Sequence, residues 1–197
     1  MNKNSVSTRT LVGVALFTAI VVILQLLGSF IRFGPFSISL VLIPIVVGAA
    51  LYGPGWGAWL GFVFGMVVLL SGDAAPFLVV NPIGTVVTVL LKGSLAGFAA
   101  GLVFRVLEKK NVWIAVICAA IACPVVNTGI FLLGCLLFFL PTVSGWAEAM
   151  GFENVGTYMI AGLVGVNFLI ELLADIVFSP LILRLINLGR NRPQYTT

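Results

Sequence analysis

Residues 82–107 read PIGTVVTVLLKGSLAGFAAGLVFRVL. The stretch opens on Pro82, directly after Asn81, which is a helix-start signal, and stays apolar to Arg105. As a helix it would reach about 39 Å at about 1.5 Å per residue, more than the roughly 30 Å of hydrocarbon in a bilayer. Lys92 and Arg105 are its only charges. So long a run with so little charge predicts a membrane-spanning helix.

Working outward from it, five more apolar segments occupy roughly 10–30, 37–53, 55–71, 112–140 and 156–184. Tyr52-Gly53-Pro54-Gly55 separates the second and third spans and predicts a tight turn between them. The expected architecture is an all-α membrane protein: one domain over 1–197, a bundle of six transmembrane helices, and short tails at 1–9 and 185–197. Composition agrees. The chain is 61% hydrophobic and 8% charged, whereas soluble domains carry about 25% charge.

The charges set an orientation. Lys3, Arg9, Arg105, Lys109, Lys110, Arg184, Arg190 and Arg192 fall on the side of the termini, and Arg32 falls opposite, beside Asp73, Glu148 and Glu153. The positive-inside rule then places both termini in the cytoplasm and the protein in the cell membrane as a multi-pass chain. Tyr52, Trp56, Trp59 and Trp113 are expected as anchors at the inner interface, and Trp146 and Tyr158 at the outer one. No basic run interleaves with aromatics, so nucleic acid is not expected as a partner. The partner is the lipid bilayer.

The absence of histidine removes His-based triads and His-ligated zinc. Cys118, Cys123 and Cys135 form no C-x-x-C pair and read as small buried hydrophobes. No phosphate-binding G-x-x-x-x-G-K-[ST] loop occurs, and no nucleophile–base constellation is visible. Neither an enzyme, a cofactor nor a metal site is expected. Energy for uphill transport must come from an ion gradient or from another protein.

Small residues recur at four-residue spacing: Gly57, Gly61 and Gly65 on the third span, Gly93, Gly97 and Gly101 on the fourth. Such stripes let helix backbones approach closely. Ala15 and Ala19 repeat the spacing on the first span, where the motif alone is weaker. Charges within spans carry more information, since each costs about 2.5–3.5 kcal/mol at a helix centre on insertion scales. Lys92 and Glu171 lie at similar depths and are expected to compensate one another, either as a structural pair or as the lining of a solute cavity. Asn127 follows Pro124, which removes a backbone donor from the fifth span. Asn167 precedes Glu171 by one turn, Asp175 follows it by one, and Asn81 opens the fourth span. Asn81, Lys92, Asn127, Asn167 and Glu171 are therefore the candidate substrate-binding residues.

Several segments together carry a resemblance. They are Leu11-Val-Gly-Val-Ala15-Leu-Phe-Thr-Ala19 behind a basic N-terminus, Ser39-Leu-Val-Leu-Ile-Pro44 running on to Gly53-Pro54, and Asn81-Pro-Ile-Gly-Thr85 leading to Lys92-Gly93. The chain resembles the substrate-binding S component of energy-coupling factor (ECF) vitamin transporters, of the riboflavin-transporter type. The resemblance implies a subunit that captures a water-soluble vitamin or precursor, such as riboflavin or pantothenate, at the outer face. It also implies partners: a membrane coupling protein and two cytoplasmic ATPases. By that resemblance Ala15 and Ala19 would contact the coupling protein. Riboflavin-binding members pair an Asn with a nearby Lys on the sixth helix, whereas here Asn167 is followed by Glu171, a departure that argues against riboflavin itself. A solitary gradient-driven carrier and a cell-shape scaffold protein are the competing readings.

Overall fold

The computed structural model describes residues 7–30, 32–33, 36–37 and 40–190. Lys3, Ser39 and Arg192 therefore lie outside the described residues, as do most of the two predicted tails. Helices dominate. The first, α1 (Thr8–Phe30), is followed by a minimal antiparallel pair, β1 (Arg32–Phe33) with β2 (Phe36–Ser37). Next come α2 (Leu42–Tyr52), α3 (Pro54–Leu70), the single-turn α4 (Ala75–Leu78), α5 (Pro82–Leu107) and α6 (Val112–Phe138). The described residues close with α7 (Leu140–Ala149), α8 (Val155–Thr157), a π-helical segment (Tyr158–Gly165), α9 (Val166–Val177) and α10 (Ser179–Arg190).

The segment quoted first appears with the bounds expected of it. Asn81 caps α5, its Oδ1 accepting from Gly84 N at 2.9 Å, and Pro82 occupies the first turn, where no donor is lost. Among the described residues, three helices are long and apolar enough to cross a membrane: Thr8–Ser29, Pro82–Leu107 and Val112–Phe138. A fourth span is available if Val155–Gly165 and Asn167–Val177 count as one, bent by 44°. The remaining apolar helices are shorter, and α2, with 11 residues, reaches only about 16 Å. The continuous span expected over 156–184 divides into the π segment, α9 and α10. A π turn carries an extra residue, and Phe178 ends α9. In the expected outer loop 141–156 a ten-residue helix, α7, appears. Pro141 sits in its first turn, where its missing N–H costs no helical hydrogen bond.

Gly stripes organise the centre. A Cβ added at Gly65 would lie 2.8 Å from the Val89 carbonyl oxygen, and one at Gly101 2.7 Å from Pro54 Cα. Gly57 faces the Gly97 carbonyl and Gly61 the Gly93 carbonyl just as closely. The antiparallel α3 and α5 therefore touch backbone to backbone, and α6 also packs against α5. Val21, Ile45, Val46, Leu60, Phe64, Phe104 and Val116 fill the apolar core around this seam. Gly53, at φ 99°, makes the turn between α2 and α3 that a residue with a Cβ rarely adopts.

One end of the bundle is basic. Arg9 Nη2 donates to the Gly189 carbonyl at 3.3 Å, so the first and last helices meet there. The turn at Gly53 lies against Arg105, and Lys109 and Lys110 follow in the turn after α5. Tyr52 joins this end, edge-on to Phe17 at 6.1 Å, while Trp59 and Trp113 remain exposed as interface anchors would. At the opposite end Tyr158 is buried against Phe152, and Trp146 packs on Phe77, so this pair faces protein.

Candidate solute-binding site

Lys92 projects from α5 between two aromatic rings. Its Nζ lies 5.6 Å from the Phe64 centroid on α3 and 5.4 Å from the Phe131 centroid on α6. Ring quadrupoles compensate part of the cost of holding an ammonium in apolar surroundings. Among the described residues no ion pair joins Lys92 to Glu171. On α9, Glu171 is 5% exposed and its Oε1 accepts from Asn167 Nδ2 at 3.2 Å.

Asn127 is 6% exposed, and among the described residues its Oδ1 has no hydrogen-bond partner. Asp175 Oδ2, in a residue 2% exposed, and Thr88 Oγ1 are also buried without one. An unmet buried polar atom costs about 1–3 kcal/mol, so three in one bundle call for a physical account. Thr88 and Lys92 are one turn apart on α5, where Thr88 crowds Gly134 and Lys92 meets Phe131. Asn127 sits on α6 one turn below Phe131. Lys92, Asn127 and the Asn167–Glu171 pair thus stand on three helices packed in series, α5 on α6 and α6 on α9.

Asn81 is not part of that group. It caps α5 eleven residues before Lys92, about 16 Å away along the axis. Ala15 and Ala19 sit on the exposed face of α1 beside Leu16, which is 60% exposed. A cavity of about 160 Å³ opens at the basic end, lined in part by Tyr52, Gly53, Arg105 and Glu108, well away from Lys92.

Sequence reasoning missed two features. The first is a polar knot around Asp73: its Oδ2 accepts from Ser29 Oγ at 2.6 Å, Ser71 Oγ at 2.8 Å and Gln25 Nε2 at 3.0 Å. It ties the end of α1 to the turn before α4. Gln25 and Ser29, one turn apart inside an apolar run, were the available signal. The second is an aromatic cluster centred on Phe77 of α4, whose ring meets Phe139 at 5.0 Å, Trp146 at 5.4 Å and Phe131 at 5.5 Å. Phe131 touches both Phe77 and Lys92, so these rings lie between the polar region and the end opposite the basic one. Nothing in the spacing of these aromatics, scattered over three elements, announces their meeting.

No curated protein and no solved structure matches the chain. A family model does, over residues 9–185: ECF transporter, substrate-specific component. That match takes in α1 to the middle of α10, including every residue of the polar region, and rests on nearly the whole length of a membrane protein with several long apolar helices. The chain belongs to the substrate-specific component family of ECF transporters.

Proposed function

We propose that the chain captures a water-soluble vitamin or vitamin precursor at the outer face of the plasma membrane, using Lys92, Asn127, Asn167 and Glu171, with Asn81 shaping the entrance as the cap of α5. In this reading one domain crosses the bilayer six times, with α2, α3 and the α9–α10 pair completing the spans that the three long helices begin. Both termini are cytoplasmic, in keeping with the Arg9–Gly189 contact and the lysines and arginines gathered at that end. Ala15 and Ala19 then form a face for a membrane coupling protein, which two cytoplasmic ATPases drive.

The observation that carries the reading is Asn127 Oδ1, buried without a hydrogen-bond partner among the described residues, in a bundle that also holds Lys92 over aromatic rings and buries Glu171 against Asn167. Ionisable groups inside a membrane mark solute or ion paths by default. The test is mass spectrometry of small molecules that co-purify with the protein, followed by uptake of the identified solute into vesicles. Uptake is expected only when the coupling protein and ATPases are present with ATP. Uptake by the chain alone under an ion gradient would make it a solitary carrier.

A further inference from the structure

The last turn of α5 and the residues behind it read Arg105-Val-Leu-Glu108-Lys109-Lys110. Arg105 and Glu108 are three apart and share one helix face. Both side chains line the cavity of about 160 Å³ at the basic end, together with the α2–α3 turn at Tyr52 and Gly53. A Cβ on Gly53 would lie 2.6 Å from Arg105 Nη2, so the guanidinium rests directly against that turn. The small residues Ala50, Gly53 and Gly101 leave the space beside it unfilled. Protein interiors hold few voids, and a roomy polar one takes water or a ligand.

Size and charge limit what fits. The volume falls below the about 300–1,000 Å³ of pockets that enclose drug-sized ligands, so a small polar headgroup suits it and a whole vitamin does not. A Cβ on Gly13 would run into the Tyr52 hydroxyl, which is therefore turned to α1. That leaves the Arg105 guanidinium, a permanently charged fork that matches phosphate oxygens, as the side-chain donor on the wall among the described residues. Lys109 and Lys110 are exposed just behind it. Arg9 joins them through Gly189, where an added Cβ would lie 2.8 Å from Leu51 Cδ2 on the cavity wall. These cations outnumber Glu108, the carboxylate on that wall, and the sum favours an anion. Exposed Trp59 and Trp113 suit a membrane–water interface at this end, and exposed Leu102 and Val106 offer acyl chains an apolar surface.

Resting on the placement of the basic end at the inner leaflet, we propose that this cavity binds the headgroup of an anionic phospholipid with the chemistry of phosphatidylglycerol. The phosphodiester accepts from the Arg105 guanidinium, and a headgroup hydroxyl donates to the Glu108 carboxylate. Lys109 and Lys110 draw anionic lipid to the rim. The site asks nothing of Lys92, Asn127 or Glu171.

The purified full chain in neutral detergent, at physiological ionic strength, is mixed with equal amounts of phosphatidylglycerol, phosphatidylethanolamine and phosphatidylcholine of matched acyl chains. Native mass spectrometry then counts the lipid retained. A single phosphatidylglycerol is expected, held at least about tenfold better than phosphatidylcholine, and Arg105→Gln should lower its retention about tenfold, the size of a lost charge-assisted hydrogen bond. Arg105→Lys, which keeps the charge and loses the fork, should fall between the two. Lys109→Gln with Lys110→Gln should cost no more than about threefold, because salt screens exposed charges. Equal losses from the lysine pair and from Arg105→Gln overturn the site, since a diffuse basic surface would then explain retention. Equal retention of the three lipids overturns it too. A preference for phosphatidylethanolamine that Glu108→Gln abolishes makes the ligand an ammonium headgroup and overturns the anionic class. Inorganic phosphate alone should leave the melting temperature unchanged, and phosphate that stabilises as much as the lipid gives the cavity to a free anion instead. Each overturning result leaves solute capture near Lys92 standing.

Discussion

Lys92 has three N–H donors and two benzene rings to point them at. Its charge was legible in the sequence, and so was the expectation of an acid at similar depth. The absence of a direct bond to Glu171 was not, because side-chain reach depends on which rotamers the neighbouring helices leave open. The Lys92 ammonium is held over the rings of Phe64 and Phe131 instead. Coupling between the two charges then acts through a low-dielectric gap, which strengthens it relative to water. Removing either charge leaves the other without its compensating field. In thermal unfolding of the solute-free protein, Lys92→Met and Glu171→Gln should each destabilise, and the double variant should recover about 0.5–3 kcal/mol relative to their sum. Strictly additive losses would show that the two residues are independent.

At the scale of elements, the α3–α5 seam follows from glycine spacing, and the structure matches the stripes position by position: Gly57 with Gly97, Gly61 with Gly93, Gly65 with Val89. Regular spacing is readable because one helix face repeats about every four residues. Substituting Ala for Gly61 or Gly97 puts a methyl into the facing carbonyl and must push the helices apart. A loss of about 2 kcal/mol or more is expected, as for other overpacked sites. Gly129, on α6, has open space around its missing Cβ. Gly129→Ala should be neutral or stabilising by about 0.5–1 kcal/mol through helix propensity. Melting temperatures of the three variants in one detergent compare them directly, and equal behaviour would count against the seam. The bounds of α5 were legible because Asn81 and Pro82 mark its start chemically. The helix α7 and the π segment were not, since a proline can open a helix as well as end one, and an extra residue per turn has no compositional signature.

For the whole molecule, the Arg9–Gly189 contact brings α1 and α10 together at the end that holds Arg105, Lys109 and Lys110. The exposed Ala15–Ala19 face lies in the half of α1 nearer that end. If this face docks the coupling protein, bulky side chains there should block close approach and leave the distant polar region alone. Ala15→Leu with Ala19→Leu should therefore keep solute affinity within about twofold and lower ATP-dependent uptake at least about tenfold. Equilibrium binding and vesicle uptake on the same preparation separate the two, and undiminished uptake would remove these alanines from coupling. The sequence by itself determined that the chain lives in a membrane, where its longest spans lie and which end is basic, because hydropathy and charge are summed along a local stretch and need no neighbours. The tertiary structure alone decided what faces what: Asp73 gathered by Gln25, Ser29 and Ser71, Phe77 at the hub of three rings, and Asn127 left, among the described residues, with an unanswered carbonyl. Such meetings depend on helix rotation and crossing, which are set by the packing of all the helices together and are written in no single segment.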